Sequence, residues 1–236
     1  MADHRPNKGW LVFFGVSLFL ALAYVGYGRW RHSQLNKALR DPDPVVRIDA
    51  VRKAGKEGYA DLLVKAMKDD DPDIRCVAAG SLRSVGSHDA EQVRALLEAS
   101  NDEHKYVREK ALDTLRYLPA RARKYIYKAV DEQDPRFRAG AAYALVYVPG
   151  EIMGREDPPP RPPQDKQIVV SLMTHLLKDD NVEVRKAASF CLFSYHLEIE
   201  EALRVRSALE QSPEETDQDA RDLADRLKRV AEQQSR

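Results

Sequence analysis

The sequence predicts an all-α chain: a right-handed α-solenoid of about five helical hairpins plus a C-terminal capping pair, preceded by one transmembrane helix. Three observations predict it. A pattern spaced by roughly 30 residues recurs five times, and a period of that size marks stacked repeats. Within each copy the recurring positions fall at 0, 4 and 8, one face of a helix. Ahead of the copies, Trp10 to Gly28 contains no charged residue.

Residues 1–9 form an N-terminal flank, and residues 10–28, WLVFFGVSLFLALAYVGYG, form the apolar segment. At about 1.5 Å per residue this segment is about 28 Å long as a helix, close to the hydrocarbon thickness of a bilayer. Trp10 stands at one end; Tyr24, Tyr27 and Trp30 stand at the other. Aromatic rings at both boundaries suit membrane interfaces. A competing reading is a cleaved signal, with Arg5 and Lys8 ahead of the apolar run and Ala21-Leu22-Ala23 as a small-residue cleavage site. The run continues past Ala23 and stops at Arg29-Trp30-Arg31, which favours a single-pass anchor. The downstream flank carries Arg29, Arg31, Lys37 and Arg40 against Arg5 and Lys8 upstream. The expectation is therefore a cytoplasmic C-terminal body; the alternative is the periplasmic or secreted side.

The repeats occupy residues 33–148 (copies one to four) and 166–198 (copy five). An apolar anchor opens each second helix: Val46, Ile74, Val107, Phe137 and Val184. The next residue is arginine each time, at Arg47, Arg75, Arg108, Arg138 and Arg185. Alanine stands four after the anchor at 50, 78, 111, 141 and 188. Eleven before it come Leu35, Leu63, Leu96, Ile126 and Met173, on a preceding helix. Between the two helices lie Asp41, Asp69, Asp102, Glu132 and Asp179, followed by Asp43, Asp71, His104, Asp134 and Asn181. An Asp or Asn there caps the second helix, and Pro44, Pro72 and Pro135 suit its first position, where a missing N–H costs nothing.

The pattern D-x-[DN]-P-x-V-R-x-x-A of Asp41–Ala50, repeated with Ile74 at the valine position in Asp69–Ala78, resembles the HEAT repeat, in particular the phycobilisome-lyase-type (PBS lyase HEAT-like) subtype. The resemblance covers roughly residues 34–196. It implies a ladder in which Asp41, Asp69, Asp102 and Asp179 pair with the arginines of the column, Arg47, Arg75, Arg108, Arg138 and Arg185, between neighbouring repeats. The alternative for five aligned arginines is an anion-binding strip. The resemblance also implies that the second helices line one surface.

The anchors are spaced by 28, 33, 30 and 47 residues, so about 17 extra residues enter before copy five. They are the Pro-rich insertion 149–165, whose Pro158–Pro163 run is expected to be extended rather than helical. Residues 199–236 read as degenerate capping helices, the second with Ala220, Leu223, Ala224, Leu227, Val230 and Ala231 in one stripe.

Catalytic chemistry is not legible. None of the six histidines is followed by glutamate, whereas HEAT-type hydroxylases hold iron through His-Glu pairs. No Gly-rich phosphate loop, zinc-protease helix or G-x-S-x-G elbow occurs. Cys76 and Cys191 lie far apart in helical patterns, as buried free thiols would. Lys+Arg and Asp+Glu are equal at 38 each, so no basic excess points to nucleic acid. The expectation is no enzyme, no cofactor, no metal and no nucleic acid, but a membrane-tethered scaffold for an unidentified protein partner, held to the membrane through residues 10–28. The rivals are a bilin-lyase-like or metal-dependent hydroxylase-like enzyme, or a secreted solenoid. Tyr117, Tyr143, Tyr147 and Phe190 fall six or ten residues after their anchors, away from the hairpin core. They are the candidate partner-binding patch, because aromatic side chains dominate interface hot spots.

Overall fold

The computed structural model describes residues 8–85, 88–146, 163–195, 197, 199–211, 222, 223, 225 and 227; for 8–12, 15, 120, 163–165 and 199 it describes the backbone only. All regular structure among the described residues is helical. Helix α1 spans Lys8–Ala38, α2 Pro44–Glu57, α3 Ala60–Ala66, α4 Pro72–Ser81, α5 Ala90–Ala99 and α6 Lys105–Arg116. They are followed by α7 Ala120–Ala129, α8 Pro135–Ala144, α9 Pro163–Leu176, α10 Val182–Phe193 and α11 Ile199–Glu210. Second helices pack on one another in sequence, α2 on α4, α4 on α6, α6 on α8 and α8 on α10. First helices pack in a separate row, α3 on α5, α5 on α7 and α9 on α11. The result is an all-helical repeat solenoid.

The repeat register explains the core. The position-four alanines Ala50, Ala78, Ala111, Ala141 and Ala188 are all buried, as are Leu35, Leu63, Leu96, Ile126 and Met173 of the first helices. A methyl group there lets neighbouring helices approach without leaving a void. The anchors Ile74, Val107, Phe137 and Val184 are buried too, but Val46 is 37% exposed. Among the described residues, no earlier repeat lies against α2 to cover it. Asp43, Asp71, Asp134 and Asn181 cap their helices by accepting an N–H two residues on. His104, at the same place before α6, makes no side-chain cap. Gly58, at φ +79°, closes α2 in the left-handed conformation that glycine alone adopts freely.

Three expectations need adjustment. The apolar segment and the first helix of repeat one are one unbroken helix, α1, rather than two elements. No proline interrupts the segment between them. Helix α9 starts at Pro163, three residues inside the expected insertion, because proline is tolerated in a first helical turn; residues 149–162 lie outside the described residues. Cys76 is only half-buried, whereas Cys191 is buried. Of the second capping helix, residues 222, 223, 225 and 227 are described; Leu223 and Leu227 are buried in it.

Among the described residues, no helix is long and apolar enough to cross a membrane. The side chains of Trp10, Leu11 and Val12, within the span expected at 10–28, lie outside the described residues. In that half of α1, Phe13, Phe14, Val16, Leu18, Phe19, Leu20, Leu22, Tyr24 and Val25 are all exposed.

Candidate partner-binding face and the arginine column

The arginine column is a structural ladder over most of its length. Arg47 reaches Asp69 through Nε and Nη2 at 3.0 and 3.1 Å. Arg75 reaches Asp102 at 2.7 and 2.9 Å. Arg138 reaches Asp179 at 2.7 and 2.8 Å, across the position of the insertion. Such two-bond pairs fix register as well as adding energy. Each aspartate also accepts the N–H two residues on, as Asp102 does from His104 at 2.9 Å. Burial pushes the Asp102 carboxyl up, but hydrogen bonds from Arg75 and the His104 N–H outweigh it and hold the group below its ordinary range. Asp179 is held down in the same way by Arg138 and the Asn181 N–H. Arg47, Arg75 and Arg138 are correspondingly raised, chiefly by their carboxylate partners.

Asp41 and Arg108 behave otherwise than the expected ladder. Asp41 belongs to the first turn, with no repeat before it, and accepts the Asp43 N–H at 3.0 Å instead of an arginine. Among the described residues Arg108 meets no aspartate, because its counterpart in the next repeat is Glu132. That carboxylate turns to Arg94 at 3.1 Å, and Arg94 also lies 4.3 Å over the Phe137 ring. Arg185 bonds the Asp179 and Asp180 carbonyls at 2.8 and 3.0 Å.

Of the candidate aromatic patch, the structure brings two members together. Tyr143 of α8 and Phe190 of α10 have ring centroids 6.2 Å apart and planes tilted by 56°. Phe190 and, one turn on, Phe193 are exposed, while Tyr143 rests partly on the core. Tyr117 is elsewhere engaged, with the Arg83 guanidinium 3.9 Å over its ring. Tyr147 lies outside the described residues. Among the described residues, the members that meet are Tyr143 of α8 and Phe190 of α10.

Tyr106 is 75% exposed at the start of α6. It borders a groove between α4 and α6 that also contains Cys76, Lys110 and Asp113. Its signal in the sequence is the column one residue before the anchor, shared with Val45, which is 70% exposed. Cys76 donates to the Tyr106 carbonyl at 3.7 Å, and burial pushes its thiol up, more than nearby Lys110 lowers it. A raised thiol is a poor nucleophile at neutral pH. Among the described residues, no group of three or more His, Cys, Asp or Glu side chains is placed to hold a metal ion.

The family model described as HEAT repeats matches residues 33–99 and 93–189. The chain belongs to the HEAT-repeat family. Among solved structures it is similar to an archaeal HEAT-like repeat protein from Thermococcus onnurineus NA1, at 14% identity and a TM-score of 0.41, covering 83% of this chain and 86% of that one. A designed armadillo repeat protein in complex with the peptide (KR)4 is similar at 17% identity and a TM-score of 0.41, over 83% of this chain and 97% of that one. No curated protein sequence matches significantly. HEAT repeats are typical of protein-interaction scaffolds.

Proposed function

We propose that this HEAT-repeat chain is a membrane-tethered, non-catalytic scaffold that holds a protein partner on its second-helix face around Tyr143 and Phe190. The observation that carries the reading is the division of α1. Its C-terminal part closes the core of the first hairpin, where Leu35 is 3% exposed. Its N-terminal part presents apolar side chains in every direction, with Phe13, Leu18 and Leu22 each at least 60% exposed. Water penalises that much exposed apolar surface, whereas lipid does not. The basic flank Arg29, Arg31, Lys37 and Arg40 supports a cytoplasmic solenoid. Tethering raises the local concentration of whatever the solenoid holds.

The test has two arms. Membranes from cells producing the full chain are washed with alkaline carbonate; the protein is expected to stay in the pellet, and a Leu18→Asp/Leu22→Asp variant to wash free. Wild-type protein in the wash would overturn the tether. In-cell crosslinking is then compared between wild type and Tyr143→Ala/Phe190→Ala. One dominant partner lost in the variant supports the scaffold, and its retention removes the partner face from α8 and α10.

A further inference from the structure

All five column arginines are held alike on their own repeat. Nη1 donates to two carbonyls of the preceding turn, as Arg75 does to Asp69 and Asp70 at 2.8 and 3.1 Å. Arg108 makes the same clamp on Asp102 and Glu103 at 2.7 and 2.8 Å. A guanidinium is planar, so fixing Nη1 turns the Nε–Nη2 edge towards the next repeat. In three repeats that edge grips an aspartate carboxylate, whose Oδ1 also accepts a backbone N–H two residues on.

At the junction of repeats three and four the donors stand in the same arrangement without that acceptor. Among the described residues, Arg108 Nε and Nη2 meet no carboxylate, and the Asp134 N–H, counterpart of the Asp71, His104 and Asn181 N–H groups, has no acceptor. The cause is a methylene. An aspartate is short enough to close a ring with the N–H two residues on and still face the arginine. Glu132 is one carbon longer and lies against Arg94 instead.

We propose that the Nε–Nη2 edge of Arg108 and the Asp134 N–H form a binding site for a carboxylate supplied by the protein partner, an aspartate or glutamate side chain that completes the ladder from outside. Three donors already hold a planar two-oxygen anion at each equivalent site in this chain, so the recognition chemistry is demonstrated within the molecule. The scaffold reading enters only in naming a protein as the source of the carboxylate. Contacts at α8 and α10 and at this turn would then engage one partner at two places on repeats three to five.

The site is tested on the full chain in lipid nanodiscs by NMR of arginine Nε–H groups, with the Arg108 resonance assigned by its loss in Arg108→Lys. Sodium acetate is titrated against sodium chloride at matched ionic strength, and sodium phosphate likewise. In the wild type the Arg108 Nε–H is expected to shift and saturate on the order of 10 mM acetate, as one bidentate pair in water allows. In Glu132→Asp, where an internal carboxylate occupies the edge, it is expected to start shifted and respond at least tenfold less. No saturable shift in the wild type overturns the site, as does an equal response in Glu132→Asp or tighter binding of phosphate than of acetate. Crosslinking then addresses the source. Loss of the partner from Glu132→Asp supports a protein carboxylate. Retention beside a normal acetate response overturns that source and leaves the scaffold reading intact.

Discussion

The junction between repeats two and three and the junction between repeats three and four use the same parts and end differently. At the first, Arg75 and Asp102 close a largely buried ion pair, and Asp71 caps α4. Helix α4 meets α6 with Gly80 beside only the flexible end of Lys110. At the second, Arg108 meets no aspartate among the described residues, His104 does not cap α6, and Gly140 of α8 lies against Leu97 of α5 and Ser100 at its C-terminal end. The first junction is held by an aspartate rung, and the second by the Arg94–Glu132 pair together with close packing at Gly140. Two neighbouring junctions in one solenoid can therefore trade one kind of restraint for another while keeping the stack.

The largest expected effect comes from breaking the closed rung. Arg75→Ala leaves the Asp102 carboxylate buried without its partner and is expected to cost about 3 kcal/mol in urea denaturation, against about 1 kcal/mol for Arg108→Ala, which strands no carboxylate. Next, Gly140→Ala places a methyl 2.6 Å from Ser100 Oγ and is expected to cost about 2 kcal/mol. Gly80→Ala meets a Lys110 methylene that can swing away, so the gain in helix propensity leaves it near neutral or stabilising. Asp71→Ala is expected to lose about 1 kcal/mol with the cap of α4, whereas His104→Ala is expected to change little.

Acid sharpens the contrast. Asp102 and Asp179 titrate below their ordinary values when folded, so their stabilisation is complete above the unfolded value of about 4 and is lost as pH falls through the lower folded values. Wild-type stability should drop below about pH 4 more steeply than that of Asp102→Asn, measured by denaturation midpoints. The smallest expected change is a gain: Glu132→Asp completes the open rung and should add about 0.5 kcal/mol.

Much of this was legible in residue order. The 0, 4, 8 spacing located the buried alanines, and the aspartate column located three rungs of the ladder. The substitution of Glu132 was visible, but its consequence was not, since it depends on where one extra methylene sends a carboxylate in three dimensions. The continuity of α1 was hidden by Arg29-Trp30-Arg31, which reads as a boundary of environment; a change of surroundings does not interrupt a hydrogen-bonded backbone. The engagement of Tyr117 was hidden for a similar reason. Tyr117 shares a column with Tyr147, but a column fixes only direction, and Arg83 from the neighbouring repeat took the Tyr117 ring. The exposure of Tyr106 follows from the same register, one step before a buried anchor.

The unbroken course of α1 has a mechanical consequence. The Tyr59 hydroxyl donates to the Gly28 carbonyl at 3.2 Å, Arg31 pairs with Glu57 at 3.0 Å, and His32 meets Asp61 at 2.9 Å. These contacts brace the helix where it leaves its apolar half, with no swivel between that half and the first repeat. Whatever orients the apolar half thereby sets the heading of the whole stack. A passenger on α8 and α10 would face one bearing instead of sweeping a cone, and neighbouring copies lodged in one sheet of lipid would show the same side at the same tilt.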